Sequence, residues 1–304
     1  MFYEDPVPHP LFVHSYYEPI LPDLPELIQT EDAHLKLVLE KRRGGGARGG
    51  GGKSVGKSRG SHPPSSSSSS GARAPVNIGG ATHGASIAVP YGDGSAKVVP
   101  IPAGEPFAGR TYGGGTRANI YGTSTYGSGY PGLRAGEVAG RGFPFVFWPV
   151  VWGTGAAYTA AYLLDQEYGA PDNATRPGGR LMQAALLASA SNTTLHVLAD
   201  AATVSALLLA LQESCGAVLV PGSLAPNASV AFDGDGARPL PEQVVQYYRA
   251  SSVALALDGY NNSAAVGRDT RADAGATPLP GWVDGGPLAC VNETIGASAP
   301  LGGS

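Results

Sequence analysis

FPFVFWPVVWGTGAAYTAAYLL, residues 143–164, is the one long uncharged apolar run in the chain. How it is read decides the fold. Its 22 residues are enough, as a helix, to cross ~30 Å of hydrocarbon. Pro144 and Pro149 fall in its first third, and Gly153 and Gly155 loosen its middle; membrane helices tolerate both types better than soluble ones. Phe143, Phe145, Phe147, Trp148 and Trp152 crowd one end, as an interfacial aromatic belt would. Arg134 and Arg141 precede the run, while Asp165, Glu167 and Asp172 follow it. Basic flanks stay cytoplasmic. The expectation is a single-pass transmembrane helix over 143–164, in contact with membrane lipid, with the N-terminus cytoplasmic and the C-terminal part outside. The competing expectation is an apolar stretch inside a wholly secreted chain whose start site is wrong, because MFYEDPVPHPLFVHSYYEPI has neither the basic nor the apolar region of a signal peptide.

The sequence beyond this run carries the same message. Asn173, Asn192, Asn227, Asn261 and Asn292 each begin an Asn-X-Ser/Thr sequon without Pro. They are five of the eight asparagines in the chain, where chance would give about one. All five follow residue 170, as do the only two cysteines, Cys215 and Cys290. Residues 165–304 are therefore expected in the secretory pathway, N-glycosylated at those five asparagines and closed by a Cys215–Cys290 disulfide.

Charge separates the chain into blocks. Residues 1–40 carry eight acids and one base, 41–141 thirteen bases and three acids, and 142–304 thirteen acids and six bases. An acidic, Pro-rich segment with a short helix at 30–43 is expected over 1–43. With 45 Gly and 26 Pro in 304 residues, a large disordered fraction is expected, placed at 44–142. Residues 51–58, GGKSVGKS, match the phosphate-binding loop pattern. That loop needs a strand before it and a helix after it. Here EKRRGGGARGG precedes and RGSHPPSSSSSSG follows, so neither forms and nucleotide binding is rejected. The basic stretch 41–60 instead reads as a solvated linker able to touch polyanions or cell-wall polysaccharide. It lacks the interleaved aromatics of single-strand binders, so nucleic acid is disfavoured.

After residue 165 a small α+β domain is expected. LMQAALLAS and TTLHVLAD read as a hairpin with Asn192 at its turn. Asp200 then caps a helix at 201–214, whose Val204, Leu207, Leu208 and Leu211 share one face. GAVLVPGS suggests a short strand, Pro241-Glu242 the start of a second helix, SVALALDGYNN a strand, and CVNETIGAS a last helix tied to Cys215.

Catalytic patterns are sparse. Of six histidines only His196 falls in this domain, on an expected strand, where a structural role is favoured over a base. No HExxH, GxSxG or cysteine cluster occurs, and the Asp233-Gly-Asp235-Gly run has Ala237 where a third calcium ligand belongs. No cofactor, metal or catalytic residue is expected.

The runs TYGSGYPG, GEVAGRGFPFVFWPVVWG, EYGAPDNATRPGG, SNTTLHVLAD, PEQVVQYYRASSVALALDGYNN and CVNETIG resemble Gly-rich proteins of basidiomycete fungi with no assigned activity, over about 107–297. The resemblance implies a secretory or membrane glycoprotein and supplies no catalytic residue. Those proteins usually begin with a signal peptide, and this chain departs from them there. The functional expectation is a non-enzymatic cell-surface or secreted glycoprotein with a structural or binding role. The alternatives are a cytosolic RGG-type RNA-binding protein and a secreted carbohydrate-active enzyme.

Overall fold

The computed structural model describes residues 71–132, 138–153, 166–234, 238–262 and 277–302. Its centre is the expected hairpin. Strand β5 (Leu181–Leu187) pairs antiparallel with β6 (Thr194–Asp200), from Leu181 opposite Asp200 to Leu187 opposite Thr194. Three further strands extend it: β7 (Ser229–Ala231), β8 (Val244–Tyr248) and β9 (Val253–Leu257). The result is a five-stranded antiparallel sheet ordered β7-β5-β6-β9-β8. Residues 195–200 of β6 and all five of β9 are buried. A strand buried at every position, not at alternate ones, needs cover on both faces of the sheet.

One cover is helical. Asp200 ends β6 and caps α1 (Ala201–Cys215), its Oδ1 accepting from the Thr203 amide at 2.9 Å. Val204, Leu207, Leu208 and Leu211 are buried as their spacing requires. Helix α1 packs on β5 and β6, and α2 (Gly285–Ser298) packs on α1. The expected Cys215–Cys290 disulfide joins the two helices across 75 residues.

The other cover is the apolar run, whose described part, 143–153, does not form the expected transmembrane helix. Residues 143–153 are not helical. They form an irregular buried strip in which Phe143, Phe145, Phe147, Trp148, Val150 and Trp152 are each at most 5% exposed. The reason is local. Pro144 and Pro149 donate no amide hydrogen and push Phe143 and Trp148 out of the helical region. Several backbone groups of the strip bond to distant parts of the chain: Phe143 N donates to Thr111 O at 2.8 Å, Val150 N to Ser251 O at 2.9 Å, and Pro144 O accepts from Gly115 N at 2.9 Å. Tyr247, Ala254 and Leu198 lie side by side on one face of the sheet, and Trp152 meets Tyr247 and Phe232 edge-on. The aromatic belt is thus a core layer. Residues 154–164 lie outside the described residues. Among the described residues no helix is long and apolar enough to cross a membrane.

The expected disorder of 44–142 is also corrected where the structure describes it. Strands β1 (Val76–Asn77) and β2 (Ile87–Val89) form a three-stranded sheet with β10 (Leu301–Gly302), so the two ends of the folded part meet. Strands β3 (Val98–Pro100) and β4 (Thr111–Gly113) form a separate pair. Ile78, Ala88, Ile101, Ile120, Tyr126 and Tyr130 join the common core. The glycines that suggested disorder make tight turns between short strands. The folded unit therefore begins well before 165: the described residues all fall within Ser65–Ser304. The segments 1–43 and 44–70, with the basic stretch 41–60, lie outside the described residues.

Two smaller expectations change. Pro241–Gln243 is a single 3-10 turn leading into β8, not a helix start; Val244, Tyr247 and Tyr248 are needed in the sheet. Residues 217–220 contribute only one bridge, Leu219 to Ala188.

The β8–β9 turn holds the layers together. Arg249, Ala250 and Ser251 have φ of 51°, 50° and 58° and are at most 2% exposed. Non-glycine residues in that region are strained and persist only where their surroundings fix them. Here Arg249 N donates to Ile120 O at 2.7 Å, and Ser251 Oγ accepts from Gly127 N and donates to Ser128 O, both at 3.0 Å.

Candidate functional site

The five sequon asparagines do not share one environment. Asn192 is exposed in the β5–β6 turn. Asn227 is exposed just before β7, whose Ser229 sits opposite Ala184 of β5, so Asn227 lies level with the same end of the sheet. Asn261 is exposed just after β9, whose Leu257 sits opposite Leu195, and Asp258 N donates to Thr194 O at 2.9 Å. Three exposed sequon asparagines thus gather at one end of the central sheet. This grouping depends on strand register, so no spacing in the sequence signals it.

Asn173 and Asn292 differ. Both are half-buried. Asn173 Oδ1 accepts from Thr175 N at 2.9 Å and Thr175 Oγ1 at 2.7 Å, in the turn that leads to the far end of β5. Asn292 lies on α2, where its Oδ1 accepts from the hydroxyl of Tyr248. Thr294 of that sequon is buried, its Oγ1 3.4 Å from Cys215 Sγ.

A polar row crosses the sheet face near the sequon end. Gln183, His196 and Asp258 fall on one face by register. His196 is 6% exposed, and its Nδ1 lies 3.2 Å from Gln183 Oε1. With Nδ1 donating, Nε2 is an acceptor, and it has no partner. Burial lowers the His196 pKa below 6.5; nearby Asp258 opposes that shift and Arg238 adds to it, so the ring is neutral at neutral pH. Asp258 pairs with Arg238 and accepts from Gln243 Nε2 at 3.2 Å. The row can exchange hydrogen bonds with a polar ligand. Among the described residues His196 bonds no serine, threonine or cysteine, so no activated nucleophile stands beside it.

A second feature is a shallow groove of about 290 Å³ lined by Val98, Thr111, Tyr130, Arg141 and Phe143. The Arg141 guanidinium lies 4.8 Å from the Tyr130 ring centroid, and its Nη1 donates to Gly127 O at 3.2 Å. Arg141 therefore flanks a groove, where the charge pattern had suggested a membrane edge. Among the described residues no group of three His, Cys, Asp or Glu side chains is placed to hold a metal ion. Asp235 and Ala237 lie outside the described residues.

Compared with protein-family models, with curated proteins and with solved structures, the chain matches none.

Proposed function

We propose that the chain is a secreted or cell-surface glycoprotein whose folded part has a binding or structural role. The observation that carries this reading is the gathering of Asn192, Asn227 and Asn261, all exposed, at one end of the sheet. Large polar glycans there meet no packing conflict, and the Cys215–Cys290 disulfide suits the same oxidising compartment. The secreted form is preferred to the anchored one because residues 143–153 are consumed by the protein's own core. The basic stretch 41–60 supplies the polyanion or cell-wall polysaccharide contact in this reading.

The test is a gel shift. The full chain with a C-terminal tag is expressed in a fungal host and treated with N-glycosidase. The expected result is a downward shift that shrinks stepwise in N192Q, N227Q and N261Q. No shift in the parent would overturn the reading and leave RNA crosslinking at 41–60 as the next experiment.

A further inference from the structure

Trp282 is the most exposed aromatic among the described residues that carry large apolar side chains, at 52%, whereas Trp148 and Trp152 are at 5% and 1%. The backbone around it is anchored. Pro280 O accepts from Val283 N at 3.1 Å, and Asp284 N donates to Thr193 Oγ1 at 3.0 Å, which joins this turn to the Asn192 hairpin. The edge of the indole lies over Gly259: a Cβ there would come within 3.4 Å of Cζ2 and 3.6 Å of Cη2.

Gly259 begins the segment that carries a sequon. Along 259–262 the side chains divide. Tyr260 and Asn262 are buried and both bond Thr277, the tyrosine hydroxyl to its carbonyl and Asn262 Oδ1 to its amide at 3.2 Å. Gly259 and Asn261 alternate with them and are exposed. Asn261 is two residues from the point where the chain touches the indole, and like Gly259 it is exposed.

We infer that Trp282 is the platform for the glycan on Asn261, with the apolar C–H face of the first N-acetylglucosamine lying on the open face of the indole. An indole face is electron-rich and large, and a pyranose presents polarised C–H groups on one face. Covering the ring this way removes exposed apolar area and fixes the direction in which the glycan leaves the surface. Asn192 is the second candidate, because Thr193 beside it bonds the Asp284 amide two residues after Trp282. The inference rests on the glycoprotein reading above.

The test uses the full chain secreted from a fungal host. Glycopeptide mass spectrometry reads occupancy site by site. Iodide quenching reads Trp282, because Trp148 and Trp152 are buried. Covering one of the two ring faces roughly halves what iodide reaches, so N261Q is expected to raise the quenching constant about twofold. N192Q and N227Q should leave it unchanged. Trimming to the first sugar with an endoglycosidase should also leave it unchanged, while complete removal should raise it. An occupied Asn261 whose loss does not alter quenching overturns the inference. So does an Asn261 free of glycan; if Asn192 and Asn227 are then occupied, the glycoprotein reading stands, and if no sequon is occupied both fall.

Discussion

Arg249 Nη2 donates to Asp200 Oδ2 at 2.6 Å with the two side chains 0% and 5% exposed. The rest of the guanidinium is also engaged. Nε donates to Ser252 Oγ at 2.7 Å, and Nη1 donates to Thr203 Oγ1 and to Pro300 O, both at 2.8 Å. Its carbon lies 3.4 Å from the Phe147 ring centroid. One side chain therefore links the β8–β9 turn, the α1 cap, the approach to β10 and the aromatic layer. Asp200 serves both the cap and the ion pair.

Removing one partner leaves the other charge buried and alone, which costs about 3–5 kcal/mol. R249M and D200N are each expected to lower the chemical-denaturation midpoint strongly. Their effects should not add in the double variant, because they break the same pair. Additive losses would show that the ion pair is not what holds these layers.

The sequence made the hairpin and α1 legible because they use local rules. Two apolar runs flank the polar Ser191-Asn192 turn, and Asp200 precedes an apolar helical face. The same rules failed for 143–153. A run of aromatics with prolines satisfies the composition of a membrane span, and only the partners of its backbone groups identify a core strip. Those partners, Thr111, Gly115 and Ser251, are distant in sequence. The packing of residues 71–132 into the common core was not legible for a related reason: short strands separated by glycine turns carry little periodicity. The disulfide was readable because two cysteines allow one pairing. The Arg249 hub and the His196 row were not, because nothing near Arg249 or Gln183 in sequence announces their partners.

Gly153 tests the core-strip assignment directly. It has φ of 82°, and a Cβ there would lie 2.7 Å from the Gly234 backbone. In a helix Gly to Ala is favourable by up to about 1 kcal/mol. In this packed turn G153A should instead lower thermal stability, and a thermal melt of the purified protein decides the sign. A stabilised G153A would restore the helical reading of the segment.

The disulfide closes a loop with a sequence separation of 75 residues. Loop-closure entropy alone predicts a stabilisation of about 4 kcal/mol for a loop of that size. C215S/C290S should therefore melt at lower temperature than the parent, and adding reductant should lower the parent's melting point but not the variant's. A parent insensitive to reductant under denaturing conditions would show that the bond is not formed.

His196 should make stability depend on pH in one direction. Its folded pKa is pushed below 6.5 by burial, and that of His83 shifts the same way for the same reason. A neutral, buried imidazole binds a proton less readily than the unfolded chain does. Above pH 6.5 the ring is mostly neutral in both states and contributes no slope. As pH falls through 6.5 the unfolded state takes up protons first, so stability is lost. H196Q keeps a polar group near Gln183 but cannot titrate. Between pH 7.5 and 5.5 its melting temperature should fall less than the parent's, with H83Q removing a further part of the slope. If H196Q and parent melts run parallel across that window, the His196 ring is not held neutral in the fold.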